Sequence, residues 1–576
     1  MGPVTDRLTR MGFLLCVDAV PAFNHNQKGA VSLLLAEFIN MSLAPHVRYN
    51  PDHMMPWLLI PDNMGADTQL KFFNYVIKNE LNPLSVGGVP GPDGPVLCKL
   101  FGASLDLKGK EKFWNQITVQ GYCGCSVCTI HYDQGPRCVI YAAARRWLPA
   151  DHPLRNQSPV FQGHQFFFRG AELRAAPANK TTQSVLTCAT ITIQRELTHY
   201  LGQKGYPMLS SLEGFKYSKL NILEWMHNLA RAHECFMSLL VGGDAKLDDK
   251  MRRTSADLGL FPSIWPNQVQ FLSEARTRLL RGLQDDTIQS ADSVWLRRWL
   301  RICSVIPEAR TRVQELRDRL TSLRDMTVRG ERVPLVGVVQ PLPWRLTPEA
   351  KVVVNRRVAG IIYPHYTPTC SKGQDSFINR TGCWRTASKL VALCVILVPA
   401  LRGYVTKFRT GLSSLIHGLR ILEGQPLSVN EAKALGLEPG SKALEKAAID
   451  FAKTLIIEGM SMIEGCCPIC VLAPALHCLC HYAEGTSLHG ILKLLWMMSC
   501  ERFNKKCKNL TANKQLPFMS LANSLVRDAT AYFHRWMLGK ETLKAAPATT
   551  VIINRSCYSP RPNHILWDDI HIRTHP

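Results

Sequence analysis

The sequence predicts an α/β fold, a mixed sheet with flanking helices that is interrupted by a large, mainly α-helical insertion. Three observations predict it. Short apolar runs near the start end in acids at Asp18 and Asp106. Helical spacing dominates from about residue 185. A last helical segment, late in the chain, carries Glu501.

The opening run Gly12-Phe-Leu-Leu-Cys-Val-Asp18 is short, apolar and closed by an acid, as when a buried strand delivers a carboxylate to a sheet edge. Trp57-Leu-Leu-Ile60 stops at Pro61, and residues 96–105 form a run that stops at Asp106. Between them, Leu70, Phe73, Val76 and Ile77 give residues 67–80 the spacing of a helix. Helical spacing recurs at 222–240, 269–283, 293–302 and 313–323. A stretch rich in Pro and Gly at 333–364 divides this block. Ser428-Val-Asn-Glu431 is a capping box that opens a further helical series to about residue 462. Residues 488–510, with Leu492, Leu495, Trp496, Met498 and Phe503, suit a helix packed on a core. The expected organisation is a first part of the core at 1–185, a helical insertion at 186–465, the last part of the core at 466–540 and a tail at 541–576.

With 576 residues, 46% of them hydrophobic and 20% charged, the chain buries a sizeable core and is neither collagenous nor disordered. Its 68 Lys and Arg against 45 Asp and Glu give a formal charge of +23, which attracts polyanions and makes nucleic acid the expected partner. The 20 cysteines are spread over a long chain without a small-domain framework or signal peptide, which points to a reducing compartment. The apolar run at 390–401 contains Pro399 and is too short for a spanning helix of about 20 residues, so no membrane partner is expected.

Two acids at strand ends and one on a late helix suit a pair of divalent metals, and hard carboxylate oxygens are what Mg²⁺ or Mn²⁺ require. Ordinary loop acids would show the same spacing. A second group flanks the first: Cys125-Ser-Val-Cys128 follows Asp106, and His477 and His481 precede Glu501. Such pairs can converge on one structural Zn²⁺, which would fix both ends of the insertion and return Glu501 to the other acids. Rival ligands stay open, namely His131, Cys123 and a local set of Cys467, Cys470, His477 and His481; buried free thiols are the simplest alternative.

Several phrases resemble the CACTA (En/Spm-type) transposases, DDE enzymes related to the V(D)J recombinase core. They include Val17-Asp18, Val47-Arg48-Tyr49, Gly121-Tyr122-Cys-Gly-Cys125-Ser-Val-Cys128, Ala144-Arg-Arg-Trp147-Leu-Pro149, Gly170-Ala-Glu172-Leu-Arg174, Glu224-Trp-Met-His227-Asn and Glu501-Arg-Phe-Asn504. Their order spans nearly the whole chain. The resemblance implies an RNase H-like fold and a nuclear enzyme that cuts and rejoins double-stranded DNA at transposon ends and target. It implies Asp18, Asp106 and Glu501 as the catalytic metal ligands, with Cys125, Cys128, His477 and His481 as the zinc ligands. His227 matches a position that related recombinases place near the scissile phosphate. Paired end cleavage implies a homodimer. Chains of this family carry a DNA-binding region before the first catalytic strand, which here begins close behind Met1. The expectation is therefore a catalytic core, with a domesticated, non-catalytic, zinc-stabilised DNA-binding protein as the alternative.

Arg145, Arg146 and Trp147, and the segment at 295–301, interleave cations with aromatics in a way that suits phosphate contact with stacking. Arg502, Lys505, Lys506 and Lys508 flank Glu501 and are the other candidates for gripping DNA. Lys108-Gly-Lys110 lacks the glycine spacing and the Ser or Thr of a phosphate-binding loop, so no nucleotide cofactor is implied.

Overall fold

The computed structural model describes, with short breaks, residues 10–155, 176–242, 342–360, 377 and 386–531. The helices expected at 269–283, 293–302 and 313–323, the segment at 295–301 and the tail lie outside the described residues.

A mixed sheet forms the centre. Strands β1 (Arg10–Pro21), β2 (Ser32–Asn40) and β3 (Met55–Pro61) run antiparallel in sequence. β4 (Val89–Gly91) turns back into β5 (Gly94–Ser104), and β5 lies parallel to β1. A separate ribbon pairs β6 (Asp133–Gly135) with β7 (Cys138–Ile140), and β8 (Asn221–Ile222) adds in parallel to β5. The order is β3-β2-β1-β5-β4, with β8 also on β5.

The apolar run of β1 is continuous because both faces of the sheet are covered. Leu14 and Cys16 join one buried cluster with Leu35, Ile39, Leu229, Cys500 and Phe503. Leu15 and Val17 join the other, with Phe73, Phe113, Trp114 and Tyr217. On that second face Phe73 meets Phe113 edge-on at 5.5 Å, and Trp114 meets Tyr217 at 5.2 Å.

The flanking helices begin with α1 (Ala66–Val76), which continues through a π turn at Ile77–Leu81, and α2 (Leu107–Phe113). They continue with α3 (Thr182–Arg195), α4 (Trp225–Val241) and α5 (Pro348–Ala359). α6 (Thr386–Val391) passes through a π turn at Ala392–Ile396 into α7 (Leu397–Ala400). That turn stands just ahead of Pro399, which lacks an N–H and crowds the carbonyl four residues back. Then come α8 (Thr406–Leu422), α9 (Val429–Ala434), α10 (Lys446–Cys466), α11 (Pro474–Leu479), α12 (Tyr482–His489) and α13 (Met498–Leu510). Among the described residues no helix is long and apolar enough to cross a membrane.

Several sequence expectations are corrected. β2 was not anticipated, because Glu37 interrupts its apolar run; the structure instead buries Glu37 opposite Cys16. The helix expected from 222 starts at Trp225, since Ile222 pairs with Ser104 and the Glu224 carboxylate caps the helix by accepting from Met226 N and His227 N. The dividing stretch at 333–364 contains α5, where Thr347 caps and Pro348 opens the first turn. The helix expected over 488–510 breaks at Gly490, whose φ is 77°, and restarts at Met498. The insertion boundaries at 186 and 465 also cut through packed structure. β8 and α4 belong to the sheet layer, and α10 is tied to the first part of the core by Ala144 N donating to Glu464 Oε1 at 2.9 Å. The Ser428–Glu431 capping box is present as expected.

α8 and α10 cross with their backbones almost in contact. A Cβ at Gly459 would lie 2.6 Å from both Gly411 O and Leu415 N, and one at Gly411 would lie 2.9 Å from Gly459 O. Gly459→Ala gains about 1 kcal/mol of helix propensity, but overpacking against backbone costs about 1–3 kcal/mol and cannot be relieved by a rotamer change. The variant is expected to unfold at lower urea concentration than the parent; an unchanged or raised midpoint would show that the crossing tolerates the methyl group.

Candidate functional site

Parallel pairing of β1 with β5 matches Cys16 to Ser104. Asp18 and Asp106 each stand two residues beyond that pair, Asp18 still within β1, which runs on to Pro21, and Asp106 just past the end of β5. Asp106 has left the strand and caps α2, its Oδ1 accepting from Gly109 N at 2.5 Å. A Cβ on Gly109 would lie 3.5 Å from Val17 O, which places the capping turn directly beside β1.

α13 packs on the face of β1 that carries Cys16 and Asp18. Cys500, Phe503 and Cys507 point into the sheet, which turns Glu501 outward at 45% side-chain exposure. Asn504, one helical turn after Glu501, donates from Nδ2 to Asp18 Oδ2 at 2.6 Å. Glu501 Oε1 lies 3.3 Å from His227 Nε2, and His227 Nδ1 lies 3.2 Å from Glu224 Oε2. Burial pulls the His227 imidazolium down, but the bonds to Glu224 and Glu501, with the charges of Glu224 and Asp106, outweigh it and push the pKa up to about 10. His227 is therefore a cation that sits among the acids.

Two further acids border this group. The buried Glu224 carboxylate accepts from Met226 N at 3.0 Å and Met497 N at 3.2 Å on one oxygen, and from His227 N at 2.5 Å on the other. It thereby ties the start of α4 to the turn before α13. Burial pushes Glu37 well above the carboxylate range, against the opposing bond to Cys500 and with support from Asp18.

The second centre is a buried cluster of Cys125, Cys128, His477 and His481, whose ligand atoms all lie within 4.8 Å of one another. Cys125 Sγ is 3.6 Å from His481 Nε2, Cys128 Sγ is 3.4 Å from His477 Nε2, and the two Nε2 atoms are 3.2 Å apart. A tetrahedral zinc with ordinary Zn–S and Zn–N lengths sets sulfur and nitrogen about 3.6 Å apart and two nitrogens about 3.3 Å apart, so the donor set fits that ion. Burial opposes the Cys125 thiolate, but the bond from Cys128 and the charges of both imidazoles hold its pKa well below the ordinary thiol value. Val127 N and Cys128 N also donate to Cys125 Sγ, at 3.3 and 3.4 Å.

The surroundings are built to hold these ligands. His481 Nδ1 faces Glu484 at 3.6 Å, and Glu484 pairs with Lys453 at 3.1 Å. Tyr217 OH and Asn221 Nδ2 donate to Ser126 O at 2.6 and 2.9 Å, and Lys180 Nζ donates to Cys125 O at 2.6 Å. Of the rival ligands, Cys467 stands apart with its Sγ 4.0 Å from that of Cys466, while Cys123, His131 and Cys470 lie outside the described residues.

The basic candidates divide. Arg145 and Arg146 are 0% and 7% exposed, in a turn that packs on α10, so they do not offer a surface to phosphate. Trp147 covers the cluster instead, its ring 5.8 Å from that of His477 and 5.7 Å from that of His481. The pattern of cations beside an aromatic misled because it is the same for an anchored turn and a stacking surface. Arg502 and Lys505 are exposed, Lys506 pairs with Asp528 at 2.5 Å, and the Lys508 side chain lies outside the described residues. Sequence reasoning gave no role to Glu224, Asn504 or Glu484; Glu is not among the favoured N-cap residues, so the cap at Glu224 carried no sequence signal.

No protein-family model matches the chain, and no curated protein is similar to it.

The cluster geometry predicts about one zinc per purified chain, measured by elemental analysis. Cys128→Ser is expected to lose the ion and lower the melting temperature by several degrees, while Cys478→Ser, a buried thiol outside the cluster, keeps it. Equal zinc in both variants would exclude the four-ligand assignment.

Proposed function

We propose that the chain is the RNase H-like catalytic core of a cut-and-paste DNA transposase that resembles the CACTA (En/Spm-type) enzymes and cleaves and joins phosphodiesters at transposon ends. The observation that supports the reading is that Asp18 and Asp106 follow one paired position of neighbouring parallel strands, while α13 reaches Asp18 through Asn504 and His227 through Glu501, across segments far apart in the chain. The mixed order of strands, antiparallel through β1–β3 and parallel across β1, β5 and β8, accords with the fold that the resemblance implies.

Asp18, Asp106 and Glu501 supply the hard oxygens that would hold two Mg²⁺ or Mn²⁺ ions. When bound, such a pair activates the attacking water or 3′-hydroxyl and stabilises the leaving oxygen. The chain's own residues set the rest. Asp18 is fixed within β1, and the capping bond from Gly109 fixes the Asp106 side chain in the turn after β5. His227 holds Glu501 through Nε2, and its positive charge would favour a phosphate oxygen beside the acids. Arg502 and Lys505, exposed on the same helix, face the solvent where a DNA backbone would run. The Cys₂His₂ cluster, with Zn²⁺, plays a structural part. Action on two element ends calls for a homodimer, and the substrate places the protein in the nucleus.

The test is Mg²⁺-dependent nicking of duplex DNA. Loss of one metal-holding carboxylate removes roughly 3 kcal/mol of transition-state stabilisation, so Asp106→Ala and Glu501→Ala are each expected to nick about 100-fold more slowly than the parent. A parent that binds DNA but nicks no faster than either variant would overturn the catalytic reading in favour of a non-catalytic, zinc-stabilised DNA-binding protein.

A further inference from the structure

We infer that Asn504 is a positioning residue for the first strand acid, with one end of its amide fixing Asp18 and the other accepting from water held at the acids. The inference rests on the two-metal reading above and adds a residue to it.

Four observations carry it. The bond from Asn504 Nδ2 to Asp18 Oδ2, at 2.6 Å, is short for an amide and is strengthened by the carboxylate charge. Its direction is fixed by chemistry, because an ionised carboxylate only accepts and the amide must present nitrogen to it. Asn504 is 5% exposed, so the bond is shielded from competing solvent. Finally, Asn504 Oδ1 is buried and has no hydrogen-bond partner among the described residues. A buried amide oxygen left without a donor costs about 1–3 kcal/mol, and a water bound at the neighbouring acids would supply that donor.

The helix position gives the bond its consequence. Glu501 and Asn504 share one face of α13, so a single rigid element presents one acid and orients another. With Oδ2 engaged by the amide, the Asp18 carboxylate loses rotation about its terminal bond, and its remaining lone pairs keep one direction. The charge on Asp18 thus follows the placement of Glu501, as preorganised metal sites require.

The experiment measures Mn²⁺ binding to the full chain by electron paramagnetic resonance, with zinc content and melting temperature recorded for every variant. The variants are Asn504→Leu, Asn504→Ala and Asp18→Ala. The expected result is that Asn504→Leu and Asn504→Ala keep the zinc and the melting temperature of the parent but bind Mn²⁺ about 10–100-fold more weakly, the range found when an outer partner of a metal ligand is removed. If the parent binds Mn²⁺, Asp18→Ala loses it and the Asn504 variants match the parent, Asn504 is not a positioning residue, while the two-metal reading stands. If neither Asn504 variant folds, the residue is structural and the inference is overturned. If the parent binds no more Mn²⁺ than Asp18→Ala, the two-metal reading fails and this inference falls with it.

Discussion

The rest of the structure depends on a meeting between two short segments, Cys125 to Cys128 and His477 to His481, whose paired residues stand 349 and 356 positions apart. Closing a loop of that length costs about 5 kcal/mol beyond a constant. The cost grows so slowly with length that lengthening the intervening chain adds little to it. What the closure requires is a strong local interaction, and structural zinc in small domains contributes about 10–16 kcal/mol of apparent binding. The Ser126 loop is anchored to Tyr217 and Asn221, and Asn221 begins β8 on the central sheet, so the cluster sits on the layer that carries the acids. Seventeen or so residues after His481 the chain enters α13, and little freedom remains in where Glu501 can arrive.

Much of the sheet was legible because buried strands leave a simple signature. The runs expected to close at Asp18, Pro61 and Asp106 appear as β1, which continues past Asp18 to Pro21, as β3, and as β5, which ends two residues before Asp106. β2 escaped because a carboxyl in an apolar run reads as solvent-facing, and no sequence rule reveals that Glu37 lies under α13. Capping residues were legible at Ser428, where both halves of the box are present in the sequence, and were overlooked at Thr347 and Glu224, where one residue acts alone.

The site divided along the same line. Residue type and spacing nominated the three acids and the four Cys and His ligands, because metals demand particular donors. The contacts of Asn504 with Asp18 and of Glu224 with Met497 depend on distances between segments remote in the chain, which spacing does not encode, whereas Glu484 stands one helical turn from His481 and was overlooked. Arg145 and Arg146 show the reverse. Their charge suggested a surface, yet packing of the 144–147 turn against α10 takes them inside, and only the neighbouring Trp147 touches a candidate centre.

The two bordering acids have a bearing on the charge balance of the site. The Glu224 oxygens already accept from three backbone amides and an imidazole, which fills their capacity. Burial pushes the Glu37 carboxyl well above the carboxylate range, which favours its neutral form. Under the proposed two-metal reading, the His227 cation is balanced by the Glu224 carboxylate it touches, and Asp18, Asp106 and Glu501 set against two divalent cations would leave one positive charge over. A phosphodiester carries one negative charge. Neutrality would thus be reached when one strand of DNA lies across the acids, and one further carboxylate charge beside them would abolish that match.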